Sequence, residues 1–251
     1  MPTSLNTMGS CYDRTVGYSP LARVDPVRQA RVVAINTRII QGFWRSQAPA
    51  RVLVAGAGLG LEALHVQEAF GLPTVGVDLF ISSATLQNAP ASLLNLQRQD
   101  LRWLAFRDNS FGLVYCYHVL EHVESPAEVL RELGRVLAPG GVLFAGFPNR
   151  RRLLAYLGTS QRASWLEKLQ WNIKDYADRI GGRFENRLGA HAGFTEREFV
   201  VMASHAFRKI HPVRNAYQLL KYPGLRVAIE LLIRTGLGEV FFPSNYFVCV
   251  K

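Results

Sequence analysis

Cysteine is scarce in this chain of 251 residues, where it occurs only at positions 11, 116 and 249. Cysteines so far apart exclude a disulfide-stabilised scaffold and a zinc site built from closely spaced cysteine pairs. The distribution is typical of a protein from a reducing compartment.

Long apolar runs are also missing. The best candidate for a membrane span, residues 217–237, is interrupted by four charged side chains, whereas a transmembrane helix needs about 20 predominantly apolar residues. Residues 1–14 lack the apolar centre of a signal peptide. We therefore expect a cytoplasmic protein without a transmembrane segment.

Acidic residues are few in the second half of the chain. Residues 1–145 contain 12 Lys and Arg against 11 Asp and Glu, whereas residues 146–251 contain 17 against 8. The resulting excess of positive charge suits an anionic partner such as RNA, an anionic membrane surface or an acidic substrate. It suits a solvated, arginine-rich surface equally well. With 49% hydrophobic and 19% charged residues, the composition excludes a disordered chain.

Strand and helix patterns alternate over the first 150 residues. Short apolar runs predict strands at residues 51–55, 74–78, 111–117 and 142–146, and helical periodicity predicts helices at 26–43, 61–70 and 126–136. Ser125 and Glu128 are predicted to form a capping box. This alternation predicts a parallel sheet with right-handed crossovers.

The second half of the chain has a looser pattern. Residues 151–180 are predicted to be mainly helical, and Thr195 and Glu198 to form a capping box at the start of a helix. Strands are expected at residues 207–213 and 245–250, with helical sequence between them.

A glycine-rich loop, Gly56-Ala57-Gly58-Leu59-Gly60, follows the first predicted strand. Its glycines permit positive φ and leave room for a ligand against the backbone, although their spacing is not that of a dinucleotide fingerprint. Asp78 ends the second strand, where a carboxylate accepts both hydroxyls of a ribose in doubly wound nucleotide sites. Asp100 follows a further predicted edge, in reach of an adenine. Together these residues predict a nucleoside site.

With these residues in place, the chain resembles the class I S-adenosylmethionine-dependent methyltransferases, in the branch that includes the quinone and sterol methyltransferases. The resemblance rests on five segments in the family's order: VLVAGAGLG (52–60), VGVDLF (75–80), RQDLRWLAFRDNSFGLV (98–114), YHVLEHV (117–123) and LAPGGVLFAGFPN (137–149).

The resemblance implies an α/β fold with a Rossmann-like, seven-stranded, mostly parallel sheet flanked by helices, its last strand antiparallel. One methyltransferase domain would then comprise a helical cover (1–45), a cofactor-binding core (46–149), a helical insertion after the fifth strand (150–194) and the C-terminal part of the sheet (195–251). The implied cofactor is S-adenosyl-L-methionine. The residues implied to bind it are Ala55, Gly56, Gly58, Gly60, Asp78, Leu79, Asp100, Leu101 and Tyr117.

One departure from the family pattern concerns the cofactor. The family usually has an acid two residues before the first glycine of the loop, and here that residue is Val54. The missing acid commonly helps to hold the methionine ammonium, so we expect backbone carbonyls to do so in this chain.

The histidines at the end of the fourth strand are candidates for catalysis. His118 is expected to face the methyl group's path and to act as a general base or to shape the pocket. The string His118-Val-Leu-Glu121-His122 also fits a metal site on one helix face. Because the same string is common in metal-free members of the family, we predict no metal and expect Glu121 and His122 to cap or pack a helix. His191 is the second candidate base.

Residues 1–45 and the insertion after the fifth strand, about 150–194, are expected to determine the choice of acceptor. The insertion combines aromatic residues with arginines, which suits an acidic or aromatic small molecule, although the same residues could form the insertion's own core and its solvated face. They are Tyr156, Trp165, Trp171, Tyr176, Phe184, Arg150, Arg151, Arg152, Arg162, Arg179 and Arg183.

The leading hypothesis is a methyltransferase acting on an O, N or C nucleophile of a small organic acceptor. An RNA methyltransferase that uses the basic C-terminal part is a less favoured alternative, because no RNA-binding module is recognisable. A non-catalytic, cofactor-binding relative is a third hypothesis, motivated by Val54.

Overall fold

The computed structural model describes residues 25–44, 49–81, 95–156, 163–187 and 190–251. The strands in these residues are β1 (Val52–Ala55), β2 (Thr74–Asp78), β3 (Asn95–Arg98), β4 (Phe111–Tyr117), β5 (Leu137–Pro148), β6 (Asn186–Arg187), β7 (Ala190–His191), β8 (Lys209–Pro212) and β9 (Ser244–Val250). The α-helices are α1 (Pro26–Gln41), α2 (Leu61–Phe70), α3 (Pro126–Val136), α4 (Trp165–Ile180), α5 (Glu196–Ala203), α6 (Arg214–Lys221), α7 (Arg226–Arg234) and α8 (Gly238–Phe241). Two 3₁₀ helices span Leu120–His122 and Pro223–Leu225.

Seven strands form one sheet in the order β3-β2-β1-β4-β5-β9-β8. The strands from β3 to β5 are parallel to their neighbours, and β9 runs antiparallel to both β5 and β8. The predicted mostly parallel sheet with an antiparallel last strand is therefore confirmed. Strands β6 and β7 form a separate antiparallel hairpin.

Alternating side chains of the central strands fill a core on each face of the sheet. Leu53 of β1 belongs to the core beneath α3 and α5. Its neighbour Val54 belongs to the core beneath α1, α2 and α6. Because both faces are covered, every residue of β1 is buried, as its continuous apolar sequence predicts.

Several helix and strand bounds agree with the predictions made from the sequence, and side-chain caps at the helix starts explain two of them. The bounds of α2, β2 and β4 are those predicted. The Asp25 carboxylate accepts the amide protons of Val27 and Arg28 at the start of α1, and the capping box between Thr195 and Glu198 is confirmed.

One local prediction is wrong. Ser125 precedes α3, but its side chain makes no capping hydrogen bond. In the described part of the insertion, helix α4 begins at Trp165, after a capping box formed by Ser164 and Glu167. The turn at the start of the insertion is held by Asn149, whose Nδ2 donates to two backbone carbonyls of the segment 239–242 and whose Oδ1 accepts the Arg151 amide.

Strand β5 is longer than the predicted strand at residues 142–146. Leu137 pairs with Phe111 and Val142 pairs with Leu113, so β5 carries a bulge between these two pairs. Gly140, at φ +75°, lies in this bulge. None of the helices in the described ranges is both long and apolar enough to cross a lipid bilayer.

Candidate active site

The loop between β1 and α2 presents bare backbone at the carboxyl end of the sheet. Gly56, Gly58 and Gly60 have φ values of +76°, +52° and +87°. A Cβ atom on Gly56 would lie 2.2 Å from Cγ2 of Val119, so glycine is required there for the segment after β4 to pack. A Cβ atom on Gly58 would meet no atom within 4 Å, so this part of the loop lines open space.

Asp78 connects this loop to the end of β2. Its Oδ2 accepts the Gly58 amide at 2.9 Å and its Oδ1 accepts the Phe80 amide at 2.9 Å. A carboxylate has about four lone-pair sites, so both oxygens still have capacity for the hydroxyls of a ligand. Leu79 and Phe80, which are 39% and 41% exposed, leave apolar surface beside the acid.

Asp100 lies at the same edge of the sheet as Asp78, as predicted. Asp78 pairs with Arg98 across the sheet, and the Gln99 amide donates to the Asp78 carbonyl at 3.1 Å. The Asp100 carboxylate, however, is bound by Arg102, whose amide and guanidinium donate to its two oxygens over 2.8–3.2 Å. These hydrogen bonds lower the pKa of Asp100.

The sequence did not reveal that Arg102 engages this carboxylate. Since both Asp100 oxygens serve Arg102, an adenine amino group would have to share them. The neighbouring Leu101, implied to contact adenine, is buried in the core.

Tyr117 ends β4 as part of a row of aromatic rings. Its ring lies 6.1 Å from that of Tyr115 and 6.3 Å from that of Tyr246, and Tyr246 stacks on Tyr217 at 3.8 Å. Burial raises the pKa of Tyr117 and of Tyr246 well above the usual value. The row therefore forms a neutral wall between β4, β9 and α6.

His118 follows this wall and is held by Glu121. His118 has φ +54°, a conformation rare for a residue other than glycine, and its amide donates to the Gly146 carbonyl at 2.7 Å. Its Nδ1 lies 3.1 Å from Oε1 of Glu121, a fully buried side chain. Val119, between them, packs on Gly56, so the His118 turn adjoins the glycine loop.

Glu121 forms a charge-based contact and does not simply pack or cap a helix. Burial acts to raise its pKa, but the hydrogen bond and charge of His118, with the charge of His122, outweigh burial and lower it. An ionised carboxylate only accepts hydrogen bonds, so the proton between the two side chains belongs to Nδ1 of His118. In the neutral form of the ring with this proton on Nδ1, the lone pair lies on Nε2.

Two further predictions concern metal binding and His191, the second candidate base. Within the described ranges, no group of three or more His, Cys, Asp and Glu side chains is arranged to hold a metal ion. His191 lies in the β6–β7 hairpin, which packs against the 3₁₀ helix Leu120–His122. Its side chain lies outside the described part of the structure, so its role stays a prediction.

Arginines of the insertion bind partners within the protein. Arg151 pairs with Glu239 at 2.7 Å, Arg152 pairs with Asp175 at 2.6 Å, and Arg150 pairs with Glu198. The guanidinium groups of Arg152 and Arg179 lie over the Phe184 ring, and Tyr156 packs on Trp171. The packing of Tyr156 on Trp171 agrees with the alternative that the aromatic residues form the insertion's own core, but Arg152 is buried and does not lie on a solvated face. Arg162 lies outside the described residues.

Glu62, in the first turn of α2, was missed by the sequence reasoning. Its Oε1 accepts a hydrogen bond from the Tyr115 hydroxyl at 3.4 Å. That hydroxyl in turn accepts the Asn36 Nδ2 proton at 2.7 Å. The available signal was an acid only two residues beyond the last glycine of the loop.

Sequence comparison supports the resemblance to methyltransferases. The sequence profile of a methyltransferase domain matches residues 53–145. A ubiquinone biosynthesis O-methyltransferase from Dechloromonas aromatica is 28% identical over 236 residues, which cover 89% of this chain and 90% of that protein. The enzyme of the same description from Xanthomonas campestris is 31% identical over 166 residues, which cover 62% of this chain and 65% of that protein.

Structure comparison supports the fold. The chain is similar to Haemonchus contortus phosphoethanolamine N-methyltransferase 2, solved in complex with S-adenosyl-L-methionine, with a TM-score of 0.58 and 16% identity. The similarity covers 100% of this chain and 61% of that protein.

Proposed function

This chain belongs to the class I S-adenosylmethionine-dependent methyltransferases, and from that premise we propose that it methylates a hydroxyl oxygen of a small aromatic acceptor. The Dechloromonas and Xanthomonas relatives are named O-methyltransferases of ubiquinone biosynthesis, which supports oxygen as the acceptor atom. The observation that carries the proposal is the pair formed by His118 and the buried Glu121 beside the glycine loop.

The glycine loop and Asp78 fit the cofactor. The space in front of Gly58 admits a ligand against the backbone, and the Asp78 oxygens retain acceptor capacity for ribose hydroxyls. We assign Ala55 and the loop glycines to the methionine end, and Leu79 and Asp100 to the adenine end. When bound, the sulfonium supplies an electrophilic methyl group.

His118 is assigned the role of general base. Glu121 holds Nδ1, which fixes the ring and leaves Nε2 to take the proton of the acceptor hydroxyl. A phenolic hydroxyl has a pKa near 10, so its oxygen is a weak nucleophile at neutral pH unless a base removes the proton. The Tyr117 ring covers one side of the imidazole, with 4.5 Å between the two ring centres.

Release of S-adenosylhomocysteine measures turnover. The wild type is incubated with S-adenosylmethionine and a panel of phenols and catechols, with aliphatic amines and RNA as comparison acceptors. We expect turnover with hydroxylated aromatics only. His118→Gln is expected to reduce kcat about 10²-fold to 10⁴-fold, the usual range for a general base, with unchanged affinity for S-adenosylhomocysteine. Turnover only with amines or RNA, or full activity of His118→Gln, would contradict the proposal.

A further inference from the structure

Glu62 is a half-buried carboxyl group that lies against the loop assigned to the cofactor. It belongs to the first turn of α2, and the residue that caps this helix is Gly60, the last glycine of the loop. Its Oε1 binds the Tyr115 hydroxyl. Tyr115 is fully buried and lies directly opposite Val54 in the pairing of β4 with β1. The hydrogen bond to Tyr115 therefore links the start of α2 to the strand beside β1.

Within the described ranges, no positive charge balances this carboxyl group. Among the described residues, no Lys, Arg or His side chain forms an ion pair with Glu62, and burial raises its pKa to about 8. The titratable groups that interact with it electrostatically are Tyr115, Cys116 and Tyr117 of β4 and Tyr217 of α6. Burial raises the pKa of each of the four, so all are neutral at pH 7.

One oxygen of Glu62 is available to a ligand. The Tyr115 hydroxyl occupies Oε1, whereas Oε2 has no partner among the described residues and is not sealed from solvent. A carboxyl group that is partly desolvated, lacks a cation and borders a ligand site is a candidate for binding a cationic group of the ligand.

We propose that Glu62 binds the ammonium group at the methionine end of the cofactor, a role that rests on the proposed function. The carboxylate replaces an acid at the end of β1, where Val54 is fully buried and apolar. Asn36 and Tyr115 position the carboxylate through the hydrogen bonds that link α1, β4 and α2.

Ligand binding to matched variants tests this assignment. Glu62→Gln keeps the shape and removes the charge. Glu68→Gln, on the same helix, changes an exposed acid that pairs with His65 and serves as the control. Isothermal titration uses S-adenosylhomocysteine and 5′-methylthioadenosine, which lacks the amino and carboxylate groups. Glu62→Gln should weaken S-adenosylhomocysteine binding at least about tenfold, the loss expected for a charged hydrogen bond. It should leave 5′-methylthioadenosine binding within about twofold, and Glu68→Gln should change neither.

Proton release from the wild type is a second readout that does not depend on a variant. At pH 7 a carboxyl group with a pKa of about 8 is about nine-tenths protonated. Binding of a cation should expel this proton, and titrations in buffers of different ionisation enthalpy should show release of nearly one proton with S-adenosylhomocysteine and none with 5′-methylthioadenosine.

The outcomes separate the inference from the proposed function. If wild type binds neither ligand, the proposed function fails. If wild type binds both and Glu62→Gln binds S-adenosylhomocysteine equally well, or loses both ligands to the same extent, Glu62 does not bind the ammonium group. Should Glu62→Gln fail to fold, proton release decides, and its absence in the wild type overturns the inference.

Discussion

Replacing Gly58 by alanine tests whether the loop around it binds the cofactor. The same replacement at Gly71 is a matched control for the backbone strain that alanine causes. Both glycines have positive φ, +52° and +64°, and an added Cβ meets no atom within 4 Å at either position. Gly58 lies in the loop assigned to the cofactor, whereas Gly71 caps the far end of α2. The two substitutions therefore impose the same kind of backbone strain at different places.

The expected cost in stability is similar for both variants. An alanine held at positive φ costs about 1–2 kcal/mol, which lowers Tm by roughly 2–8 °C in a protein of this size. In Gly58→Ala the methyl group also enters the space assigned to the cofactor, so the affinity for S-adenosylhomocysteine should fall at least about tenfold, or roughly 1.4 kcal/mol. Gly71→Ala should bind with wild-type affinity.

Differential scanning fluorimetry measures the two Tm values, and isothermal titration measures the two affinities. Equal binding of S-adenosylhomocysteine by Gly58→Ala and Gly71→Ala, at equal stability, would refute the assignment of the open space at Gly58 to the cofactor.

Three further predictions concern buried charge. Glu121→Gln should lower kcat by roughly tenfold to a hundredfold without changing cofactor affinity, because the His118 ring then loses the partner that holds it in place as a base. Glu121→Asp should recover part of the loss, and an unchanged kcat would exclude the positioning role of Glu121. Arg152→Met should lower the free energy of unfolding by about 3 kcal/mol, since it leaves the partly buried carboxylate of Asp175 without its ion-pair partner. The control Arg151→Met removes an exposed ion pair and should cost less than about 1 kcal/mol. Equal urea denaturation midpoints of the two variants would contradict this prediction. Between pH 4.5 and about 8 the folded wild type holds a proton on Glu62 that the unfolded chain lacks. Its free energy of unfolding should therefore fall as pH rises across this window, and Glu62→Gln should flatten that slope. An identical slope for wild type and variant in denaturant titrations would refute the raised pKa of Glu62.

Much of the sheet was predictable because its central strands are buried on both faces. Such strands have continuous apolar sequences, and this is why β2 and β4 were placed with their observed bounds. Helix α2 was equally clear, since glycines flank it on both sides. The position of Asp78 could be predicted from the end of β2. That Asp78 and Asp100 lie at the same edge of the sheet could be predicted because β2 and β3 run parallel.

Side-chain partners were predictable only when they are close in sequence and fixed by one standard motif. The capping box of Thr195 meets this condition, but Ser125 has the same sequence signature without the hydrogen bond. The Asp100 and Arg102 pair is also local, yet it depends on the turn that follows β3, which the sequence pattern does not specify.

The missed parts of the site depend on contacts between distant segments. Glu62 acquires its surroundings from Asn36 and Tyr115, which lie 79 residues apart. The arginines of the insertion were predicted either to bind an acceptor or to form a solvated face, but Arg152 folds inward onto Asp175 of a later helix. Such contacts follow from the packing of whole elements, which periodicity and local motifs do not describe.

A structure of the protein bound to S-adenosylhomocysteine tests the central claim most directly. The ribose hydroxyls should lie within hydrogen-bond distance of the Asp78 carboxylate, with the homocysteine chain along the Gly56–Gly60 loop and its ammonium group at Glu62. Density for the ligand elsewhere on the protein, or Asp78 without contact to the ribose, would contradict the assignment of this loop as the cofactor site.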